Sequence, residues 1–427
     1  MNRRELMQLG LLAGSALASR DALAKAVATP RPVVAPGGQR AVVTPNGGAL
    51  EWKQVGGVKV GHLIAHELDH EFAPGLRAKV WGYNGSSPGP TLELTQGDAV
   101  RLYVTNRLPE PTTVHWHGVI LPNGMDGVAG LTQRAIAPGE TFLYEFTFRQ
   151  AGTFMYHPHY DEMTQMALGM MGMIVVHPRA PRGPRVDRDF VLMSHEWKIE
   201  PGAARPDPSA MNDFNLLTFN SKAFPATAPL VMGLGERVRI RVGNLSPMDH
   251  HPIHLHGVSA ELTWTDGGEV PLSARHPETT FLVPVGSVRV FEFVTTEPGD
   301  WAMHCHMTHH VMNQMGHGFP VMVGADPERI DRRVKALVPQ YMTMGHDGMG
   351  SMSEMEMPSP TNSIPMRGGR GPFGGIDMGG MFTVLKVRQR PDQADPAGWH
   401  AHPAGTVAER APEASLAADG VDPLREV

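Results

Sequence analysis

The stretch GDAVRLYVTN at residues 97–106 decides the fold, because the chain repeats its pattern as GERVRIRVGN at residues 235–244. In both copies a glycine and an acidic residue precede a run in which apolar and polar side chains alternate. Such alternation is typical of a β-strand with one buried face, and the glycine marks a turn. The repeat predicts two related β-rich domains.

Further segments recur in the same order. The pairs are HWHG at 115–118 with HLHG at 254–257, YEF at 144–146 with FEF at 291–293, and HPH at 157–159 with HCH at 304–306. Short strands between Gly/Pro turns favour an all-β fold of two antiparallel Greek-key β-sandwiches; the resemblance described below implies that these are cupredoxin-like domains. We expect these domains at residues 49–180 and 185–325.

The N-terminus has the pattern of an export signal over residues 1–24. Arg3 and Arg4 precede a short apolar stretch, and Ala22-Leu23-Ala24 is typical of a cleavage site. The paired arginines resemble a twin-arginine signal; a chance pair in an ordinary secretory signal is the alternative. A linker follows at 25–48, and no later segment has the length of a transmembrane helix. The sequence therefore predicts a periplasmic or otherwise exported protein.

Residues 326–427 differ in character from the two repeats. We predict a helix within 326–338 and a last strand at 381–387. Between them, methionines crowd a stretch that lacks apolar periodicity and contains His346: Met342, Met344, Met349, Met352, Met355 and Met357. Thioether sulfur suits Cu(I), so this Met-rich extension is a candidate Cu(I)-binding segment. A linker with incidental methionines is the alternative.

Composition excludes several classes of protein. A net charge of −6 argues against a nucleic-acid binder, which normally carries a basic surface. With 1 Cys in 427 residues, no intrachain disulfide can form. Cys305 is therefore a buried core residue without a chemical role, a reactive thiol or a metal ligand.

Histidine pairs are the strongest chemical signal. Alternate residues of a strand point to one face, so a His-x-His pair presents both imidazoles together. Four such pairs occupy equivalent places in the two repeats: His115/His117, His157/His159, His254/His256 and His304/His306. Imidazole is a ligand for Zn, Cu, Fe and Ni.

Cys305 narrows the choice of metal. His310 follows it by five residues and Met315 by ten, while His251 lies upstream. Two histidines, one thiolate and a weak methionine ligand form the trigonal blue-copper site. The alternative, a buried Cys305 beside a core Met315, is disfavoured by the histidines on both sides of the thiol.

These motifs resemble the four signatures of the multicopper oxidases, in particular their two-domain, laccase-like members. The resemblance covers about residues 50–325 and implies a copper-dependent oxidase that reduces O₂ to water. Its implied ligands are His251, Cys305, His310 and Met315 for type 1 copper, His115 and His254 for type 2, and His117, His157, His159, His256, His304 and His306 for the type 3 pair. Domain 1 has Thr112 and Pro158 in place of His251 and Cys305, so type 1 copper is expected in domain 2 only.

The resemblance also implies proton donors near the cluster. Asp126 matches the family's acidic residue near the cluster, although an Asp-Gly turn is its alternative role; Asp161 and Glu162 are weaker candidates. Val311 stands where an acidic residue often follows the last type 1 histidine.

The resemblance also implies an assembly. Since each domain supplies four cluster histidines, the two-domain relatives imply a homotrimer with clusters between subunits.

The electron donor is expected to be Cu(I) or a phenol, with O₂ as the acceptor. Two alternatives stay open. One is a copper-sequestering protein without turnover, which has no need of the Cys305 link between sites. The other is a copper nitrite reductase, a family that carries its type 1 cysteine in the first domain beside a single histidine.

Overall fold

The computed structural model describes residues 41–314, 326–334, 336, 361–393, 395 and 398–425. Two β-sandwich domains contain nearly all of the regular structure, so the predicted all-β fold is confirmed. The predicted signal, most of the linker, Met315 and the methionines of the Met-rich segment lie outside the described residues.

The first domain is built from two sheets. One has the strand order β1-β2-β5-β7 with β3 paired to β2, and the other has the order β4-β9-β8-β6. The strands are β1 Lys53–Val55, β2 Val58–Ala73, β3 Leu76–Tyr83, β4 Leu92–Thr95, β5 Ala99–Asn106, β6 His115–His117, β7 Thr141–Thr147, β8 Gly152–His157 and β9 Gly172–His177.

The second domain repeats this plan. One sheet has the order β11-β10-β13-β19-β15-β16 with β17 paired to β15, and the other has the order β12-β23-β20-β14-β18. The strands are β10 Arg188–Trp197, β11 Leu216–Phe219, β12 Leu230–Gly233, β13 Arg237–Asn244, β14 His251–Leu255, β15 Ala260–Thr265, β16 Gly268–Glu269, β17 Pro277–Glu278, β18 Thr280–Val283, β19 Ser287–Val294, β20 Gly299–Cys305, β21 Arg370–Gly371, β22 Gly374–Gly375 and β23 Phe382–Arg388; β21 and β22 form a separate hairpin.

The described residues contain three short α-helices. They are α1 Glu162–Ala167, α2 Pro327–Val334 and α3 Glu413–Asp419. Helix α2 lies within the range 326–338, for which the sequence predicts a helix. Across the described ranges, no helix is long and apolar enough to cross a membrane.

The repeated stretches 97–106 and 235–244 form strands at equivalent places in the two domains. β5 pairs in parallel with β2 and antiparallel with β7, while β13 pairs in parallel with β10 and antiparallel with β19. In β5 every second side chain faces the core, since Val100, Leu102 and Val104 are fully buried. The repeat in the sequence is thus a repeat in the structure.

The last strand corrects the predicted end of the second domain at residue 325. β23 pairs in parallel with β12 and antiparallel with β20, just as β9 pairs with β4 and β8 in the first domain. It completes the second sandwich, so residues 326–381 lie between two of that domain's strands and not after them. The repeats do not reveal this, because β8 and β9 are separated by a short connection and β20 and β23 by a long one.

The two domains pack on each other through a shared core. Phe72 and Met155 of domain 1 contact the cluster that contains Val191, Trp197 and Val288 of domain 2. At its edge the buried guanidinium of Arg241 donates to Asp189 and to Thr153 Oγ1 of the first domain. This contact ties strand β13 of domain 2 to strand β8 of domain 1.

Candidate metal centres

Four histidines of the first domain converge at the edge of one sheet. β6 pairs antiparallel with β8 so that His115 lies opposite His157, and His117 follows on the same face. The ring centroid of His115 is 5.8 Å from that of His117, 5.4 Å from that of His157 and 5.5 Å from that of His159. We call His115, His117, His157 and His159 the domain 1 half-cluster.

Backbone carbonyls orient two of these rings. His115 Nδ1 lies 2.8 Å from the carbonyl oxygen of Asp126, and His157 Nδ1 lies 2.9 Å from that of Pro158. When Nδ1–H donates to a carbonyl, Nε2 is left with its lone pair for a metal. Burial lowers the pKa of His157 to about 3, so this ring is neutral at physiological pH and competent as a ligand.

The second domain builds a matching group. β14 pairs with β20 so that His254 lies opposite His304. The His254 ring centroid is 4.7 Å from that of His256, 5.7 Å from that of His304 and 5.4 Å from that of His306. His254, His256, His304 and His306 form the domain 2 half-cluster, in which the side chains of His256 and His306 are exposed.

The two half-clusters do not meet within one chain. Among the described residues, every ring contact of these eight histidines is to a member of the same half-cluster or to Phe382. A cavity of about 290 Å³ lies in front of the domain 1 half-cluster, and its other walls include Ser246 and Gly286 of domain 2. Each half-cluster thus presents unshared imidazoles to the outside.

The third group surrounds the only cysteine. Cys305 ends β20, His251 begins β14, and His310 lies in the 3₁₀ turn Thr308–Val311. Cys305 Sγ is 3.7 Å from His251 Nδ1 and 3.5 Å from His310 Nδ1, and the two nitrogens are 3.3 Å apart. These three buried donors form a triangle, which fits the trigonal plane of a blue-copper site. We call them the cysteine site.

Polar groups behind the two rings turn their Nδ1 atoms toward the sulfur. Ser246 Oγ is 2.7 Å from His251 Nε2, and Asp249 Oδ2 is 3.2 Å from His310 Nε2. Such outer contacts fix the tautomer and the orientation of metal-binding histidines. The triangle is therefore organised by the protein itself.

Burial shifts the pKa values of His251 and Cys305 in the cysteine site. Burial, reinforced by the neighbouring His310, lowers the pKa of His251 to about 3, which keeps the imidazole neutral. Burial also raises the pKa of the Cys305 thiol to about 12. The thiol is protonated at neutral pH without a metal, so binding a metal as thiolate must release that proton.

The candidate proton donors lie beside the domain 1 half-cluster. Asp126 Oδ1 is 3.4 Å from His115 Nδ1, and the next residue, Gly127, has φ +87° and no room for a Cβ against the Val114 carbonyl. Asp126 therefore precedes a glycine that the turn requires, and its carboxylate also lies near the histidines. Glu162 is equally near, with Oε1 3.4 Å from His157 Nδ1, while Asp161 precedes α1 with a left-handed φ of 44°.

The first domain has no second cysteine site. Thr112 Oγ1 donates to Gln165 Oε1 at 2.7 Å, and Gln165 Nε2 donates to the Pro111 carbonyl at 2.8 Å. Thr112 and Gln165 are both fully buried. Thr112, which stands where domain 2 has His251, is thus held in a buried hydrogen bond, and Pro158 stands where domain 2 has Cys305.

Sequence reasoning missed Ser246, Asp249 and Glu196. Asp249 contacts His310, and Glu196 Oε2 accepts the backbone N–H groups of Met248 and Asp249 at 3.2 Å each. Burial, together with the nearby Asp249 carboxylate, raises the pKa of Glu196 to about 9. The polar run Ser246 to His250 before His251 was the available signal for the first two, whereas nothing local marks Glu196.

Comparisons with known proteins agree with this geometry. Two sequence models, both described as multicopper oxidase, match residues 65–181 and 200–325, which together make up more than half of the chain. Among solved structures, the blue copper oxidase from Nitrosomonas europaea is similar, with a TM-score of 0.57 and 25% identity, over 76% of this chain and 85% of that one.

Two curated relatives match only part of their own length. Copper resistance protein A of Escherichia coli is 44% identical over 117 residues, which is 27% of this chain and 19% of that protein. A probable nitrite reductase-hydroxylamine oxidoreductase fusion protein of Kuenenia stuttgartiensis is 29% identical over 290 residues, which is 65% of this chain and 32% of that protein. The chain thus spans a third or less of either relative.

Proposed function

Because the chain belongs to the multicopper oxidase family as a two-domain member, we propose that it couples one-electron oxidation of a small reducing substrate to the four-electron reduction of O₂ to water. One observation carries this proposal. Cys305 lies in the triangle of the cysteine site, and its neighbours in the chain, His304 and His306, belong to the domain 2 half-cluster. Metals bound at the two sites would thereby be linked through the short stretch of covalent chain that runs from Cys305 to His304 and His306.

The donor sets fit copper. The cysteine site, completed by Met315, would hold type 1 copper; His115 and His254 would hold type 2 copper, and the six other half-cluster histidines the type 3 pair. Copper bound there supplies one-electron redox chemistry and the site at which O₂ is reduced. The protein itself holds the neutral imidazoles in place, excludes water from Cys305, and sets Asp126 and Glu162 beside the half-cluster.

Electrons are proposed to enter through Asp249 and His310. His310 is fully buried, and its Nε2 contacts Asp249, whose side chain is 27% exposed. Met248, next in the chain, is 55% exposed. A carboxylate and a thioether at one surface point offer contacts both to Cu(I) and to the hydroxyl of a phenol.

A homotrimer would bring the half-clusters together. In one chain each half-cluster is incomplete, and exposed apolar side chains adjoin the domain 1 half-cluster: Ile120 is 64% exposed, Met163 60% and Tyr160 37%. An interface between domain 1 of one subunit and domain 2 of the next would cover these residues and join the eight histidines. We therefore propose that the clusters form between subunits.

The physiological donor is proposed to be Cu(I), in a role in copper tolerance after export by the twin-arginine route. The Met-rich segment at 342–357 and the similarity to copper resistance protein A support this choice. The test compares O₂ uptake with Cu(I) and with a methoxyphenol, before and after deletion of 342–357. We expect the deletion to slow Cu(I) oxidation and leave phenol oxidation unchanged. Equal rates with Cu(I) before and after deletion would contradict the segment's role.

A nitrite reductase is the second candidate, favoured by the similarity to the Kuenenia protein. Against it, Cys305 is in the second domain and has a histidine on either side. The other alternative, a copper-sequestering protein without turnover, would not require the covalent link at Cys305. Nitrite consumption under anaerobic conditions, without O₂ uptake in air, would support the reductase.

Asp126 is proposed to deliver protons to the reaction at the clusters. Asp126→Asn keeps the shape and the backbone carbonyl that orients His115 but removes the acid, so we expect turnover to fall about a hundredfold. Copper content and blue absorbance should not change. Steady-state O₂ uptake measures the effect, with Asp69→Asn, an exposed change on β2, as the control. A variant as fast as the unmodified enzyme would exclude this role.

A further inference from the structure

A fifth His-x-His pair, His400 and His402, lies outside the two repeats and outside the centres described above. The segment that contains this pair is hydrogen-bonded to the second domain. The Asp300 carboxylate accepts the backbone N–H of His400 at 2.6 Å, and Lys386 Nζ donates to the Gly398 carbonyl at 2.6 Å. The Lys386 ammonium also lies 4.6 Å from the ring centroid of Trp399. The pair is therefore held on a sheet, although it belongs to the C-terminal tail.

The two rings are arranged like those of the metal centres. Their centroids are 5.1 Å apart, with an angle of 86° between the ring planes. The corresponding separation is 5.2 Å for His251 and His310, the two histidines of the cysteine site. The spacing of the tail pair is thus close to that of two rings proposed to bind one metal ion.

The ring nitrogens of His400 and His402 are available. Within the described part of the chain they have no hydrogen-bond partner, and the ring of His402 contacts only Phe373 and His400. Other surface histidines differ in this respect: His62 Nε2 is bonded to Thr105 Oγ1, and His66 Nε2 accepts the N–H of Gly85. A metal could bind the tail pair without breaking an internal contact.

We propose that His400 and His402 form an accessory Cu(II) site, with water molecules as the remaining ligands. Two imidazoles with oxygen ligands suit Cu(II), which they bind more tightly than the other divalent first-row metals. Asp300, which anchors His400, and His304 of the domain 2 half-cluster lie on the same face of β20, four residues and therefore about 13 Å apart along the strand. The site would hold copper close to the centres, whether or not the enzyme turns over.

The test is a Cu(II) titration of the copper-loaded protein, followed by electron paramagnetic resonance. The unmodified protein is expected to bind about one more Cu(II) per chain than the His400→Ala/His402→Ala variant, with nitrogen hyperfine structure from imidazole. His62→Ala/His66→Ala is the matched control and should retain the additional copper. Unchanged blue absorbance in each variant verifies that the second domain is folded.

Two results would overturn the proposal. One is equal Cu(II) uptake by the His400→Ala/His402→Ala variant and the unmodified protein. The other is an equal loss in both double variants, which would indicate unspecific binding to surface histidines. Oxidase turnover is not part of either comparison, so failure of this site would leave the proposed oxidase function intact.

Discussion

Replacing Cys305 by serine is expected to abolish the intense blue absorbance and oxidase turnover together. The sulfur completes the triangle with Nδ1 of His251 and of His310, and a thiolate is the soft ligand that gives the blue site its character. A serine hydroxyl is a hard, weakly acidic donor and cannot replace it. Copper in the half-clusters should remain, because their histidines are unchanged. Absorbance, copper content and O₂ uptake measure these effects.

Met303→Leu is the matched control for this change. Met303 is a fully buried sulfur-containing residue two positions earlier on β20, so its side chain shares a face with Cys305. A Leu for Met exchange in a core usually costs less than about 1.5 kcal/mol, so both colour and turnover should persist. A Cys305→Ser protein that remains blue, or one that is colourless yet fully active, would contradict the assignment of Cys305.

Two inactive variants are expected to restore activity to each other when they assemble together. His117→Ala/His157→Ala destroys the domain 1 half-cluster, and His256→Ala/His304→Ala destroys the domain 2 half-cluster. If clusters form between subunits, an interface that joins the intact domains of the two variants has all eight histidines. In any trimer that contains both variants, about one third of the interfaces are of this kind. Random co-assembly also produces trimers of one variant alone, which are inactive, so about a quarter of the full activity should be recovered.

Each variant co-assembled with itself is the control and should stay inactive. Recovery that depends on both chains would support the shared clusters, and the size of the trimer can be measured on the same sample by light scattering. If the two domains of a single chain formed the cluster, mixing could not bring intact partners together. No recovery from a well-mixed, copper-loaded assembly would therefore contradict the trimer.

Much of the fold follows from local sequence. The alternating runs at 97–106 and 235–244 form β5 and β13, and the His-x-His spacing places imidazoles on one face, as it does for His115 and His117 opposite β8. The convergence of His251, Cys305 and His310 also follows from the motifs. These features are predictable because strand periodicity acts over a few residues and the motif spacing is short.

Other features depend on contacts between distant parts of the chain. β23 completes the second domain across a long connection from β20, and its sequence contains no sign of its partners. Glu196 is buried because β10 lies against both domains, and it meets the turn at Asp249 only in the folded structure. The separation of the half-clusters within one chain likewise results from how the domains pack, which no motif encodes.

The ratio of donor oxidised to O₂ consumed tests the central claim most directly. With copper-loaded protein and a one-electron donor, the proposed coupling predicts four donor molecules oxidised per O₂, with no peroxide released. Absence of O₂ uptake in fully copper-loaded protein, with Cu(I) and with phenolic donors alike, would contradict the account. So would a ratio of two with peroxide as the product, because the half-clusters would then not act as a four-electron site.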